Sequence, residues 1–166
     1  MVGEIADRAW GEGWGEFRPY FSSVGDAENV PLPLITYQVV DRMPTPERGE
    51  LKPVFRSQVV DPVTMQSTRL YGQWFDYYIQ FDIWDKSVDS CIDLTQRLEE
   101  LLLTYAGHFK ECGVSVILFH RQLRDDLLHR WDPTLNVQSL QYKVRLETLY
   151  VVTSATLQGV DIDVYN

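Results

Sequence analysis

Cysteine is scarce in this chain: Cys91 and Cys112 are the only two in 166 residues, and neither stands in a CxxC or Cys/His ligand pattern. A disulfide framework is thereby excluded. Positive charge is scarce too. Fifteen Lys and Arg stand against 24 Asp and Glu, a formal net charge of −9. A nucleic-acid-wrapping surface needs clustered cations to neutralise phosphates, so this balance argues against one; the same acidity also keeps many soluble proteins in solution. No apolar run reaches the ~20 residues that span a bilayer. The start, MVGEIADRAW, lacks the basic region and following ~7–15 apolar residues of a secretory signal. The chain therefore reads as a soluble protein made in a reducing cytoplasm, without a membrane partner.

Catalytic patterns are missing as well. A phosphate cradle needs GxxxxGK or GxGxxG between a strand and a helix, and GEGWGE at 11–16 follows no strand, so it reads as a flexible lead-in. GxSxG is absent, and neither cysteine neighbours a histidine in a recognisable pattern. His108, His120 and His129 read as satisfied or solvated side chains rather than metal ligands. Carboxylates pair at Asp76 and Asp82, Asp125 and Asp126, and Asp161 and Asp163. The first pair lies ~20 Å apart along one strand at ~3.3 Å per residue, too far to act together, and Asp125-Asp126 reads as solvated or helix-terminal charge. No catalytic, cofactor-binding or metal-binding residue is assigned, and the chain reads as a non-enzyme.

What is present is aromatic and periodic. Hydrophobic residues make up 45% of the chain, enough for one sizeable core but not two self-sufficient ones. In WFDYYIQFDIW, Trp74–Trp84, the positions Phe75, Tyr77, Ile79, Phe81 and Ile83 alternate with Asp76, Tyr78, Gln80 and Asp82, the period of a half-buried strand. The polar face, with its flanking tryptophans, is more apolar than a solvated strand usually is. It invites either a partner or a second layer of the same chain.

A cap region at Asp85, Lys86 and Ser87 precedes Cys91, Leu94, Leu98, Leu101, Leu102 and Tyr105 at helical spacing, which predicts one helix from Val88 to Lys110 ended by Gly113. Leu32–Asp41 and Val54–Val60 read as strands, the latter closed by Asp61-Pro62. Thr64–Trp84 is one long bent strand or two joined ones, with a bulge or bend at Gly72. Val114–His120 reads as a short buried strand and Val137–Val152 as a long one. The expected fold is α+β: a mixed or antiparallel sheet of four to six strands packed on one long helix, in a single domain with an N-terminal arm at 1–31, a core at 32–152 and a C-terminal arm at 153–166.

The stretch YGQWFDYYIQFDIWDKS, the helix LTQRLEELLLTYAGHFKECGV and the following ILFHRQLRDDLL resemble the small neck and tail-completion proteins of tailed bacteriophages, especially tail terminators. The likeness covers Leu34 to Val152. Its signature is the aromatic strand, the DK-capped helix and a close formed by Thr104, Tyr105, Gly107, Phe109, Lys110, Cys112, Gly113 and Val114. The resemblance implies a virion structural protein that forms a ring, commonly a hexamer, on the end of the tail tube. It would meet the tube protein, the sheath where the tail contracts, and the head-tail connector or stopper, while DNA passes without specific binding.

No catalytic motif defines such families, so only contact surfaces are expected. They are the loop Arg42–Lys52 with Arg42, Glu47 and Arg48; the strand face with Trp74, Tyr78 and Trp84; and the segment Arg121–Pro133 with Arg121, Arg124, Asp125, Asp126 and Trp131. The competing readings are a head-tail connector or stopper, and a small enzyme or ligand-binding domain with Asp125, Asp126, His120 and His129 around a pocket.

Overall fold

Runs of period two become strands here, and those ending at Pro44, Leu123 and Ala155 run three residues further than their sequence patterns suggest. The structure is a computed structural model that describes residues 14–19, 31–45, 51–123 and 135–155. Its elements are β1 (Glu16–Pro19), β2 (Leu34–Pro44), β3 (Val54–Val60), β4 (Gln66–Asp85), α1 (Val88–Thr104), α2 (Ala106–Glu111), β5 (Val114–Leu123) and β6 (Asn136–Ala155). One six-stranded sheet has the order β1-β2-β4-β6-β5, and β3 pairs with β4 beside this path. β1 runs parallel to β2, while β3 is antiparallel to β4 and β5 to β6.

The expected α+β architecture is corrected. Of the described residues 62% are in strands and 20% in helices, so the protein is mostly β, with two helices in place of one long one. Three local causes account for the difference. First, of the two layouts expected for Thr64–Trp84 the single long strand is the one formed, β4 passing Gly72 over 20 residues, and β6 also runs for 20. Second, the described part of the supposed N-terminal arm is a strand: Glu16–Pro19 pairs in register with Leu34–Tyr37. Gly15 there has φ +70°, and a Cβ on it would lie 1.7 Å from the Pro33 carbonyl oxygen, so glycine is required rather than loosely tolerated. Third, the helix relaxes at Tyr105, where φ and ψ are −93° and 12°. A second short helix then starts at Ala106.

The chain divides into two compact units, one of residues 1–43 and 76–146, the other of 44–75 and 147–166. The first holds the core. Ser87 caps α1, its Oγ accepting from the Ser90 N–H at 3.4 Å. From α1 and α2, Leu94, Leu98, Leu101, Leu102 and Phe109 pack with Phe81, Ile83, Leu140 and Tyr142 of the sheet and with Ile35 and Trp14. Each such side chain contributes about 1.5–3 kcal/mol by leaving water. Arg97 lies over the Trp14 ring at 4.5 Å, a cation-π contact across the edge of this core. Cys91 is fully buried on the apolar stripe of α1. β5 differs from the buried strand expected: it ends the sheet order, and Leu118 and Phe119 are more than half exposed.

The second unit is a hairpin with the end of β6. Asp61 builds its turn, its Oδ1 accepting from the N–H groups of Val63 at 2.8 Å and Thr64 at 3.3 Å. The Val63 bond foremost holds this carboxyl below its usual range. Met65 occupies the left-handed region at φ 55°, which L side chains adopt at a cost. The irregularity expected at Gly72 lies instead in β3, between Phe55 and Ser57, opposite Tyr71 and Leu70, while Gly72 itself pairs with Val54. The bulged Arg56 reaches Glu147 of β6, Nε to Oε1 2.8 Å. A Cβ on Gly72 would come within 2.1 Å of that carboxylate, so the glycine clears a path for the ion pair.

Candidate functional site

Period two places Asp76, Tyr78, Gln80, Asp82 and Trp84 on the face of β4 opposite Phe81 and Ile83. Within the first unit this face is a polar ladder. Asp82 meets Ser139, Gln80 meets Gln141, and Asp76 meets Arg145, so numbers fall along β4 as they rise along β6 and the two strands are antiparallel. Polar side chains on one strand thus have polar partners on the other.

At one end, Asp76 is 2% exposed. It is gripped by Arg145 through Nε to Oδ1 at 2.7 Å and Nη2 to Oδ2 at 3.1 Å, while Lys143 Nζ stands 3.2 Å from Oδ2. Both carboxylate oxygens face cations, which suits a buried clamp and not proton transfer. At the other end, Asp82 is fully buried. Its Oδ1 accepts from Ser139 Oγ at 2.5 Å and Gln80 Nε2 at 2.8 Å, and among the described residues its Oδ2 has no partner. Burial raises this carboxyl above its ordinary value, and the Ser139 and Gln80 bonds offset that only in part.

The ladder extends to the sheet edge. Gln141 donates to Gln80 at 3.1 Å and in turn accepts from Arg121 Nε of β5 at 2.8 Å. Arg121 and Gln141 border a shallow concavity of about 290 Å³ with Val40, Asp41, Met43, Tyr78 and His120. Tyr78 and His120 meet edge to face there, their centroids 4.8 Å apart. This opening mixes one guanidinium, one carboxylate and aromatic surface, and presents no nucleophile beside a base.

The expected contact residues separate. Tyr78 and Arg121 come together at the concavity. Arg42 lies instead over the Tyr77 ring at 5.2 Å. Trp84 is 7% exposed, clustered with Leu34 and Val137 of its own chain, and its indole N–H donates to Thr36 Oγ1 at 3.0 Å. Trp74 is half-buried in the second unit. Glu47, Arg48, Arg124, Asp125, Asp126 and Trp131 lie outside the described residues, as does His129. Of the four side chains of the enzyme reading, only His120 can therefore be placed.

Sequence reasoning assigned no role to Ser139, Gln141, Lys143 and Arg145, reading only a long strand over Val137–Val152. A signal was available: cations at 143 and 145 and carboxylates at 76 and 82 share one strand parity, and a buried strand pair seeks such matches. No group of three or more His, Cys, Asp or Glu among the described residues could hold a metal ion. None of the helices among them is long and apolar enough to cross a membrane. Compared with known proteins, the chain matches no family model and no curated relative.

Proposed function

We propose that this chain is a structural assembly protein of the tailed-phage neck, a tail terminator. Its copies close a ring on the end of the tail tube and meet the head-tail connector. The observation that carries the assembly reading is the bare apolar surface of the second unit. On β3, Phe55, Val59 and Val60 are 51%, 67% and 47% exposed, and on β6, Leu149, Val151 and Val152 are 54%, 65% and 50% exposed. A monomer rarely leaves such strands uncovered. The terminator identity draws on the resemblance of the aromatic strand, the capped helix and its Cys112-Gly113 close to that family. The net charge of −9 suits a ring through which DNA passes, because it offers phosphates no strong grip.

The test is to tag the chain and locate it in purified virions and in tails assembled without heads. A terminator sits as one ring at the head-proximal end of free tails. Recovery only with head vertices would identify a connector or stopper, and absence from both would end the virion reading.

A further inference from the structure

We infer that His108 and Cys112 form a two-ligand chelate for a thiophilic divalent cation of the Zn²⁺ type on the outer side of α2. The site stands apart from the ring reading, and neither depends on the other.

Residues four apart share one face of a helix. The Cys112 N–H returns to the His108 carbonyl at 3.1 Å, so a closed helical turn joins the two. Phe109, next to His108, is 2% exposed in the helix-sheet core and anchors α2, which holds its outer side steady. Cys112 is exposed there, and its Sγ lies 3.7 Å from His108 Nε2. Zn–S and Zn–N bonds of ~2.3 and ~2.0 Å at the tetrahedral angle set sulfur and nitrogen about 3.5 Å apart. A small side-chain adjustment therefore suffices to grip one ion. Read from sequence, His108 is only a satisfied or solvated side chain; its spacing to Cys112 gains meaning from this turn.

The surroundings favour a cation over other uses of the pair. Glu111 Oε2 stands 3.8 Å from His108 Nδ1. A carboxylate on that side favours the proton on Nδ1 and turns the Nε2 lone pair toward the sulfur, as outer carboxylates do for metal-bound imidazoles. Cys112 also closes the C-terminal end of α2. That end of a helix carries partial negative charge, which favours a bound cation and disfavours a free thiolate, so a nucleophilic cysteine is the poorer reading. Lys110 lies two positions from each ligand, a spacing at which helical side chains do not face each other.

On binding, the metal–sulfur bond forms as the thiol proton passes to solvent. Two protein ligands leave two positions for water, so the ion exchanges readily, unlike those of four-ligand sites that hold folds together. The other thiol, Cys91, is fully buried on α1. A thiolate signal from the folded chain therefore reports on Cys112.

The experiment titrates the full, reduced chain with Co²⁺ alone, whose thiolate complexes absorb strongly in the near ultraviolet, and then adds Zn²⁺. The band should saturate at one ion per chain and be bleached by Zn²⁺. Cys112→Ser should abolish it. His108→Ala should weaken Co²⁺ binding by more than roughly tenfold, the loss that even an outer-sphere partner commonly costs. Both side chains are exposed, so the variants should keep the parent's circular dichroism. No band from the parent, a band that survives Cys112→Ser, or unchanged affinity in His108→Ala each overturns the site.

Discussion

The two compact units solve the burial problem in opposite ways. In the first, helices cover one sheet face and the other is closed by hydrogen-bonded polar pairs, down to a carboxylate held by two cations. In the second, β3 and the end of β6 carry valines, a leucine and a phenylalanine at half exposure or thereabouts. Apolar content alone therefore does not distinguish a core from a contact surface. What distinguishes them is whether the described residues supply the second layer.

The largest effect that tests this contrast is expected in the first unit. Leu98 is fully buried in the helix-sheet core, and Leu98→Ala should cost about 3–4 kcal/mol in urea unfolding. Arg145→Ala should cost about 3 kcal/mol, at the low end for a broken buried pair because Lys143 remains beside Asp76. A loss under 1 kcal/mol for either would deny the first unit its self-sufficiency.

Asp82 gives a pH signature. Its folded-state value is raised by burial above the ordinary 3.8, so its contribution is fully present below that pH and is lost as pH rises through the folded value. Asp82→Asn should flatten this part of the stability-pH curve and raise stability at neutral pH relative to the parent. A variant curve parallel to the parent's from pH 4 upward would show that burial does not govern this carboxyl.

Smaller effects belong to the second unit. Met65→Gly should stabilise by about 1 kcal/mol in thermal unfolding, because glycine accepts the left-handed turn position without strain. Val59→Lys should change the stability of the isolated chain by no more than about 0.5 kcal/mol, as exposed sites do. A cost above 2 kcal/mol there would mean that β3 is covered after all.

Much of the strand layout was legible. Val54–Val60 is a strand with those same ends, closed by the Asp61 turn, and Ser87 caps the helix. Local signals sufficed because turn and cap chemistry is local. The break in the expected single helix was not legible, since Leu98, Leu101, Leu102 and Phe109 keep helical spacing across the relaxed turn at Tyr105. The polar ladder was hidden for a different reason. Asp76 and Asp82 look like residues of a solvated face until β6 is laid antiparallel beside them, and that pairing spans more than 50 positions of sequence. Likewise Trp84 reads as a contact residue until Thr36, 48 positions away, meets its indole N–H.

The central claim, that the exposed apolar strands of the second unit are contact surfaces covered on assembly, is tested most directly by backbone hydrogen exchange on free subunits and on the assembled protein. Amides of 54–60 and 147–153 should gain protection by roughly 100-fold or more on assembly, while those of 79–83 and 138–145, already held within the first unit, stay unchanged. Equal exchange of 54–60 and 147–153 in free and assembled protein would contradict the account.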